Sequence, residues 1–279
     1  TMSAPARKGA WLLFAAVAVG VLSGQEATAQ EDFRSLDQGR PLKVTDAFPK
    51  KYLEWEFQAG LQGGWVEGGR RSLEGLFELG TGLFRNFEIG AGMRVATVDG
   101  GMNATTGLEA LEVDALYNFR HEGWTWPAIA VQTGVEAPAG GDPSREDWAW
   151  GADLILTRGF SRGLRVHVNG GRFVASEVDG DDYWRGGLAF DIPLGFSSSL
   201  IMGDLYTEIP VNTGPTRLWA ELGARLQISN MTVLDVGLTT RMDEWDDGAA
   251  NIGLVVGFGR VFGIGGLVRV PEYPNPAIR

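Results

Sequence analysis

The chain has 279 residues, 44% of them hydrophobic, a formal net charge of −11 at pH 7 and no cysteine. The absence of cysteine excludes a disulfide framework, and the acidic balance argues against nucleic acid as a partner, because surfaces that bind phosphate are basic. Lysine does not occur after Lys51. A soluble β-barrel would normally carry lysine on its wet face and its edges, so lysine usage disfavours a soluble barrel.

The N-terminus has the three parts of a secretory signal peptide. Arg7 and Lys8 precede an apolar run over residues 10–22, and small residues follow up to Ala29. The apolar run is shorter than the ~20 residues that a membrane-spanning helix needs. We therefore predict a signal peptide over residues 1–29 rather than a membrane anchor.

Residues 30–52 show no clear periodicity and contain Pro41 and Pro49. They are predicted to form either an extended periplasmic segment or a plug inserted into the domain that follows. The last residues, 263–279, are similarly irregular and are predicted to be a C-terminal tail.

Strict alternation of apolar and polar residues dominates residues 53–262. In "EWEFQAGLQGGWV", every second residue from Trp55 to Trp65 is apolar or glycine, while glutamate, glutamine and glycine occupy the other positions. A period of two predicts a β-strand, and runs of strands without helices predict an antiparallel sheet. Twelve such segments occur, at about residues 54–66, 71–82, 87–98, 107–119, 126–136, 148–158, 164–175, 183–192, 200–209, 216–228, 232–242 and 250–260.

The connections between these segments fall into two kinds. Tight turns such as "GLFRN" and "ISNMT" alternate with longer, acidic loops such as "APAGGDPSRED" and "DEWDDGAA". Short periplasmic turns, longer extracellular loops and an even strand number are typical of outer-membrane barrels. The fold class is therefore predicted to be all-β, a transmembrane antiparallel up-and-down barrel of about 12 strands. A soluble barrel or sandwich is the alternative.

The tryptophans indicate which face of the predicted barrel meets lipid. Trp55 and Trp65 are ten residues apart on the apolar face. At ~3.3 Å per residue and a tilt of ~40°, they are separated by ~25 Å in height, which matches the apolar band between two aromatic girdles. We expect the apolar face to contact the bilayer and lipopolysaccharide, and the polar face to line the lumen.

Three stretches, "SLEGLFELGTGLFRNFEIGAGMRV", "GLRVHVNGG" and "WAELGARLQISNMTVLDVGL", resemble a family of bacterial outer-membrane proteins described as the MetA-pathway of phenol degradation family, or as transporters. The resemblance covers most of residues 50–260. It implies passage of small aromatic or other apolar compounds, and it implies no catalytic residues or cofactor.

Charged residues on the predicted lumen face are the candidates for permeation. Water or an ion-pair partner can satisfy charges there. Hairpin geometry places Arg94 opposite Glu112, Arg225 opposite Asp235, and Asp153 near His167. The full set of lumen candidates is Glu56, Glu78, Glu88, Arg94, Glu112, Asp153, Arg165, His167, Asp191, Asp204, Glu221, Arg225 and Asp235.

Two roles remain open for these charges. They either form a constriction that selects a small permeant or a polar network that rigidifies a closed structural or adhesive barrel. An outer-membrane hydrolase is a third class, but it needs a serine activated by a histidine. The chain has only His121 and His167, and no serine is expected on an adjoining strand, so we predict no enzyme. The acidic runs at 177–182 and 243–247 lack the ligand spacing of a calcium loop, and no metal or cofactor is predicted.

Overall fold

Twelve antiparallel strands form one closed barrel in the computed structural model, which describes residues 34–65, 71–99, 104–139, 148–176, 182–195, 198–212, 214–243 and 251–263. The strands are β1 (Trp55–Trp65), β2 (Arg71–Phe84), β3 (Phe87–Asp99), β4 (Ala104–Arg120), β5 (Ala128–Pro138), β6 (Ala149–Gly159), β7 (Arg165–Ala175), β8 (Tyr183–Pro193), β9 (Ser199–Pro210), β10 (Arg217–Ser229), β11 (Thr232–Arg241) and β12 (Ile252–Phe262). The predicted fold class is confirmed. The predicted signal peptide, and the tail after residue 263, lie outside the described residues.

Each strand pairs with its neighbours in the chain, and β1 closes the barrel on β12. Trp55 lies opposite Phe262 at one end of this seam, and Trp65 lies opposite Ile252 at the other. Closure removes every free sheet edge, so each strand's backbone groups are bonded on both sides. The last strand, β12, ends on an aromatic residue, Phe262.

The side-chain alternation matches an inverted barrel, polar inside and apolar outside. In β11, Leu234, Val236 and Leu238 are exposed on the outer surface, while Asp235 and Thr239 are buried inside. Large apolar side chains are exposed at the middle of other strands as well, including Leu61, Val113, Val135, Leu154, Leu188, Leu205, Leu222 and Val256. Within the described ranges, no helix has the length and apolarity of a transmembrane helix.

The two rims of the barrel differ. One rim, the short-turn rim, carries the connections after β2, β4, β6, β8 and β10. After β6 it holds a short 3-10 turn (Ser161–Gly163), and the tight turn after β2 is made possible by Asn86 at φ 68°, a conformation that asparagine tolerates. The opposite rim, the long-loop rim, is the one at which the odd-numbered strands end, and most residues of the connections after them lie outside the described part of the chain. The chain enters β1 from the short-turn rim.

Residues 34–50, here named the inner segment, lie inside the barrel, and the exposed Lys51 and Tyr52 follow before β1. Two small hydrophobic clusters seat them on the wall. In the first, Leu36, Leu42 and Val44 pack with Ala189, Leu200, Met202 and Tyr206. In the second, Ala47 packs with Leu116, Ala128, Ala130 and Ile155, with Phe48 beside them. The buried core of this protein is therefore the contact between the inner segment and the wall.

Candidate functional site in the barrel lumen

The inner segment runs around the inside of the wall and meets the strands in turn. Arg40 forms an ion pair with Glu56 on β1 (2.9 Å) and approaches Asp235 on β11 (3.8 Å). The backbone N–H of Lys43 donates to Asp204 on β9 (2.9 Å) and to Glu221 on β10 (2.7 Å). Two of the predicted lumen carboxylates thus hold a single peptide N–H.

The second half of the inner segment continues around the remaining strands. Asn169 on β7 pairs through its side-chain amide with the backbone of Thr45, donating to its carbonyl (3.0 Å) and accepting from its N–H (2.9 Å). Asn118 on β4 donates to the carbonyl of Ala47 (2.6 Å). The N–H of Lys50 then donates to Glu88 on β3 (2.5 Å). The wall side chains therefore satisfy backbone groups that have no partner within the inner segment, as buried peptide groups require.

Glycines on the wall make room for this arrangement. A Cβ at Gly60 would lie 2.8 Å from the carbonyl oxygen of Gly39, and one at Gly237 would lie 2.6 Å from Pro41. A Cβ at Gly82, Gly187 or Gly223 would also overlap the inner segment. The barrel sequence is thus matched in shape to the inner segment, and any larger residue at these positions would displace one or the other.

A chain of hydrogen bonds joins the inner segment to His167. The N–H of Ala47 donates to Thr157 Oγ1 (3.0 Å), which lies 3.0 Å from His167 Nδ1, and His167 Nε2 lies 2.9 Å from Asp191. Because Thr157 accepts from Ala47, its hydroxyl proton points to Nδ1, so Nε2 carries the proton shared with Asp191. His167, Thr157 and Asp191 have no exposed surface, so this arrangement positions the backbone and offers no access to a substrate.

Asp191 is the centre of a larger ionic group at the short-turn rim. Arg165 donates to it from Nε (2.7 Å), and Arg34 donates to it from Nη2 (2.8 Å). Arg165 also bonds the carbonyl of Arg34 and approaches Asp46 (3.6 Å). Burial raises the pKa of Asp46 despite the nearby arginine. These contacts fix the point at which the inner segment enters the barrel.

The expected proximity of Asp153 and His167 is wrong. Asp153 lies opposite Gly171, four residues further along β7, while His167 lies opposite Thr157. The hairpin turn is centred on residue 162 instead of residue 160, because the 3-10 turn lengthens the connection. Asp153 is instead paired with Arg185 on β8, which donates to it from Nε (2.8 Å) and from Nη2.

Lys50 is the main counter-charge for the carboxylates near β1 to β3. Its ammonium nitrogen lies 3.4 Å from Glu88, 3.6 Å from Glu56 and 3.9 Å from Glu78, and also 3.6 Å from Asp37 of the inner segment. Burial by itself lowers the pKa of Lys50, but the four carboxylates raise it well above the ordinary value. Burial by itself raises the pKa of Asp37. The attraction of Lys50 and the nearby arginines lowers it by more, so the pKa of Asp37 is below its usual range.

Arg94 is the main counter-charge for the carboxylates nearer the long-loop rim. It lies 3.3 Å from Glu74, 3.8 Å from Glu112 and 3.7 Å from Glu136. The residue directly opposite Arg94 is Ala110, and Glu112 lies opposite Gly92, because the strands pair from Asp99 and Ala104 onward in a different register from the one predicted. The predicted contact with Glu112 is still made, because the long arginine side chain reaches it from the neighbouring strand.

Between Arg94, the inner segment and the wall lies a cavity of about 180 Å³. Its described lining includes eight carboxylates and four basic side chains, as well as Gln38, Gln62 and Phe173. Gln38 is the exposed residue of the inner segment and forms part of the cavity floor. The open volume of the lumen is thus polar and acidic, and it lies on the side of β1 to β6.

All thirteen predicted lumen residues face inward. Three of them, Glu78, Arg94 and Glu112, are half-buried, and the other ten are buried. Several of them contact one another directly, as Arg225 does with Asp235 and Arg165 with Asp191. Others are joined through the inner segment, whose Arg40, Lys43 and Lys50 were not among the predicted site residues. The inward parity of Asp114 and Arg185 could have identified them from the sequence, since each shares a face with a predicted lumen residue on its own strand, whereas Glu136 lies opposite Glu112 on the neighbouring strand.

Aromatic side chains on β7 to β10 also line the lumen, and Phe173 among them borders the acidic cavity. Phe173 stacks on Tyr183 (4.9 Å between ring centroids), and Tyr206 lies 5.8 Å from Trp219. The ammonium group of Lys43 lies over both Tyr206 and Trp219, at 5.6 Å and 5.2 Å. The sequence interpretation assigned the aromatic residues to the outer girdles only, and it missed these inward rings.

The acidic runs considered for calcium are described only at their ends. Asp182 accepts a hydrogen bond from Arg172 (3.0 Å), and Asp243 accepts one from Arg241 (2.6 Å). The remaining residues of both runs, 177–181 and 244–247, lie outside the described residues.

Solved structures share this architecture. An outer membrane channel from Pseudomonas putida F1 superposes with a TM-score of 0.62 at 13% sequence identity, covering 81% of this chain and 100% of that one. The fold is that of an outer-membrane β-barrel. The KdgM porin gives a TM-score of 0.54 at 10% identity, covering 75% of this chain and 99% of that one. No protein-family model and no curated protein matches the chain, so the phenol-degradation family suggested by the sequence stretches has no independent support.

Proposed function

We propose that the chain forms a channel for small solutes in the bacterial outer membrane, exported by means of its N-terminal signal peptide. The shared architecture with an outer membrane channel and a porin supports this proposal. The exposed apolar band between Trp55 and Trp65 suits a bilayer, and the exposed indoles of Trp148, Trp150 and Trp184 suit its interfaces. Lipid and lipopolysaccharide are the partners that such a surface would contact.

The acidic cavity is the observation that carries the proposal. A barrel that serves only as a rigid support can be filled with packed side chains, whereas this one keeps about 180 Å³ open and lines it with charged groups. That volume is below the ~300–1,000 Å³ of pockets for drug-sized ligands. The permeant is therefore a compact molecule, and the inner segment sets the narrowest part of its path.

The finer solute class rests on two kinds of surface in the lumen. The inward pairs Phe173–Tyr183 and Tyr206–Trp219 offer apolar ring surface, in keeping with the small aromatic or apolar compounds implied by the family resemblance. The carboxylates that line the cavity outnumber its basic groups and favour cations over anions.

A closed structural or adhesive barrel is the second candidate. It is favoured by the inner segment, which meets strands all around the wall and buries Leu36, Leu42, Val44 and Ala47 almost completely. Residues held so firmly would block the short-turn half of the lumen for any solute that cannot pass beside Lys50.

Planar-bilayer recordings on the protein without its signal peptide separate the two candidates. The channel predicts discrete conductance steps from the intact protein, and a larger conductance after deletion of residues 34–50. A closed barrel predicts no steps from the intact protein and steps only after the deletion. Absence of conductance from the intact protein would overturn the channel proposal, and circular dichroism of both proteins in detergent would establish that each barrel is folded.

A further inference from the structure

Asp114 is a buried carboxylate that Lys50 influences only from beyond ion-pair distance. It is 9% exposed and faces the cavity. Within the described ranges, no hydrogen bond and no ion pair within 4 Å reaches its side chain, although every other carboxylate discussed above has at least one. A buried carboxylate without a partner is costly, and such a group in a cavity points to a ligand that supplies the missing charge.

The strands beside Asp114 leave the space in front of it open. Asp114 lies directly opposite Gly90 on β3 and Gly134 on β5, so neither neighbouring strand covers it with a side chain. A Cβ at Gly90 would touch the Asp114 carboxylate and lie 3.0 Å from Glu78 Oε1. Glu78 and Asp114 thus converge on one point of the wall, and Glu112 is close by, 3.8 Å from the Cβ position of Gly134.

The basic groups nearby are already shared among several carboxylates. Lys50 forms ion pairs with Asp37, Glu56, Glu78 and Glu88. Arg94 serves Glu74, Glu112 and Glu136. Neither has an ion pair with Asp114, so this part of the wall has a surplus of negative charge.

The chemistry of the pocket favours an organic cation over a metal ion. Among the described residues, no group of three or more acidic, histidine or cysteine side chains is close enough to hold one metal ion. An ammonium group, by contrast, donates several hydrogen bonds in diverging directions and can bridge carboxylates that are too far apart to ligate a metal. Its alkyl part would lie toward Phe173, which lines the same cavity.

We propose that Asp114, with Glu78 and Glu112, forms a binding site in the lumen for the ammonium group of a small organic amine. This proposal rests on the proposed channel for its physiological role, since the amine would be a permeant held on its way through the barrel. The site itself is defined by the wall and can be measured without any flow of current.

Isothermal titration calorimetry on the detergent-solubilised protein tests the site with 1,4-diaminobutane as the probe and 1,4-butanediol as its uncharged analogue. We expect the diamine to bind and the diol not to bind. Asp114→Asn keeps the shape of the side chain, removes its charge and should weaken diamine binding at least tenfold. Asp114→Glu should retain most of it. Glu122→Gln, at the short-turn rim and outside the cavity, is the matched control and should bind as the unaltered protein does.

Equal diamine binding by the unaltered protein and Asp114→Asn would overturn the site, as would no binding to either. If Asp114→Asn fails to fold, Asp114→Glu still tests the site. Retained diamine binding would support the need for a carboxylate at this position, and lost binding in a folded protein would contradict it. Bilayer recordings in parallel keep the two proposals apart. Diamine binding without conductance would refute the channel and leave the site standing, and conductance without Asp114-dependent binding would do the reverse.

Discussion

Arg225 and Asp235 face each other across β10 and β11 and form a two-bonded ion pair, with Nε 2.5 Å from Oδ1 and Nη2 3.0 Å from Oδ2. Neither side chain is exposed to solvent. Arg225 also donates to the carbonyl groups of Ser35 and Arg40, so one arginine joins the wall to both ends of the turn in the inner segment. The pair is therefore shielded from water, and the bonds of Arg225 to the two carbonyl groups hold the inner segment in place.

Arg225→Ala should therefore destabilise the folded barrel by about 3–5 kcal/mol, because it leaves Asp235 buried with less counter-charge. Unfolding by urea in lipid vesicles measures this loss. Arg172→Ala is the matched control: it removes an Arg–Asp pair whose arginine is 42% exposed, and it should cost only ~0–1 kcal/mol. Equal, small losses in both variants would mean that water reaches Arg225.

Orientation of the wall can be tested with two adjacent residues of β1. Leu61 is exposed at mid-height on the outer face, and Gln62 lines the cavity. Leu61→Arg should cost ~2–4 kcal/mol in a bilayer, whereas Gln62→Arg should be mild because the acidic lumen accepts a cation. Refolding yield into lipid vesicles compares them, and greater damage from Gln62→Arg would contradict the inverted barrel.

The match between the wall and the inner segment makes a prediction about two glycines of the same strand. Gly60→Ala puts a methyl group 2.8 Å from a backbone oxygen of the inner segment, whereas Gly63→Ala meets nothing within 4 Å. Gly60→Ala should cost about 1–3 kcal/mol by overpacking and should loosen the turn at Gly39. Thermal unfolding in detergent measures the difference. Similar melting temperatures in the two variants would refute the tight seating of the inner segment.

Docking of the inner segment should depend on pH in a defined direction. The folded pKa of Lys50 is raised, so its contribution is complete below the ordinary value of 10.5 and is lost only as pH rises through the higher folded value. The folded pKa of Asp37 is lowered, so its contribution is present above the ordinary value of 3.8 and is lost as pH falls below it. Between these limits Lys50 and Asp37 contribute no pH dependence to docking.

A single cysteine reports on docking, since the chain has none of its own. Val44→Cys is buried and should react with a small thiol reagent only when the inner segment leaves the wall, whereas Gln38→Cys is exposed and should react at once. With the thiolate fraction corrected through the Gln38→Cys rate, added Lys50→Gln should raise the relative rate at Val44→Cys between pH 6 and pH 9. An unchanged rate would show that Lys50 does not hold the segment.

Ion selectivity is the remaining prediction. The described cavity lining has twice as many carboxylates as basic groups, so a salt gradient should give a reversal potential of the sign expected for a cation-selective pore. Glu136→Gln and Asp114→Asn should each reduce that potential. A clear preference for anions would contradict an acidic permeation path.

The alternation of residues was enough to predict the barrel, because each strand must bury one face and expose the other. It also assigned the thirteen predicted lumen residues to the inner face, as Arg225 and Asp235 illustrate. Register was predicted well where the turn is short, as at β10–β11, and was wrong at β6–β7, where a 3-10 turn moves His167 away from Asp153. Local turn geometry is set by a few backbone angles that alternation does not encode.

The inner segment could not be placed from its sequence, because it has no periodicity of its own. Some of its backbone partners are side chains more than a hundred residues away, such as Asp204 and Glu221. The inward glycines Gly187, Gly223 and Gly237 were a usable signal, since residues that leave so much room on a lumen face imply that something else fills it. They appear in the sequence only as ordinary members of the polar face.

The position of the inner segment also constrains the order of assembly. Lys43 is 161 and 178 residues away from the two carboxylates that bind its N–H. Those carboxylates lie on strands β9 and β10, which are synthesised late. Contacts of such large sequence separation form slowly. The backbone N–H groups of the inner segment therefore lack these wall partners until β9 to β12 are in place. The seam between β1 and β12 then closes around the inner segment. Folding of the last four strands is consequently the step that converts a tethered peptide into an enclosed one.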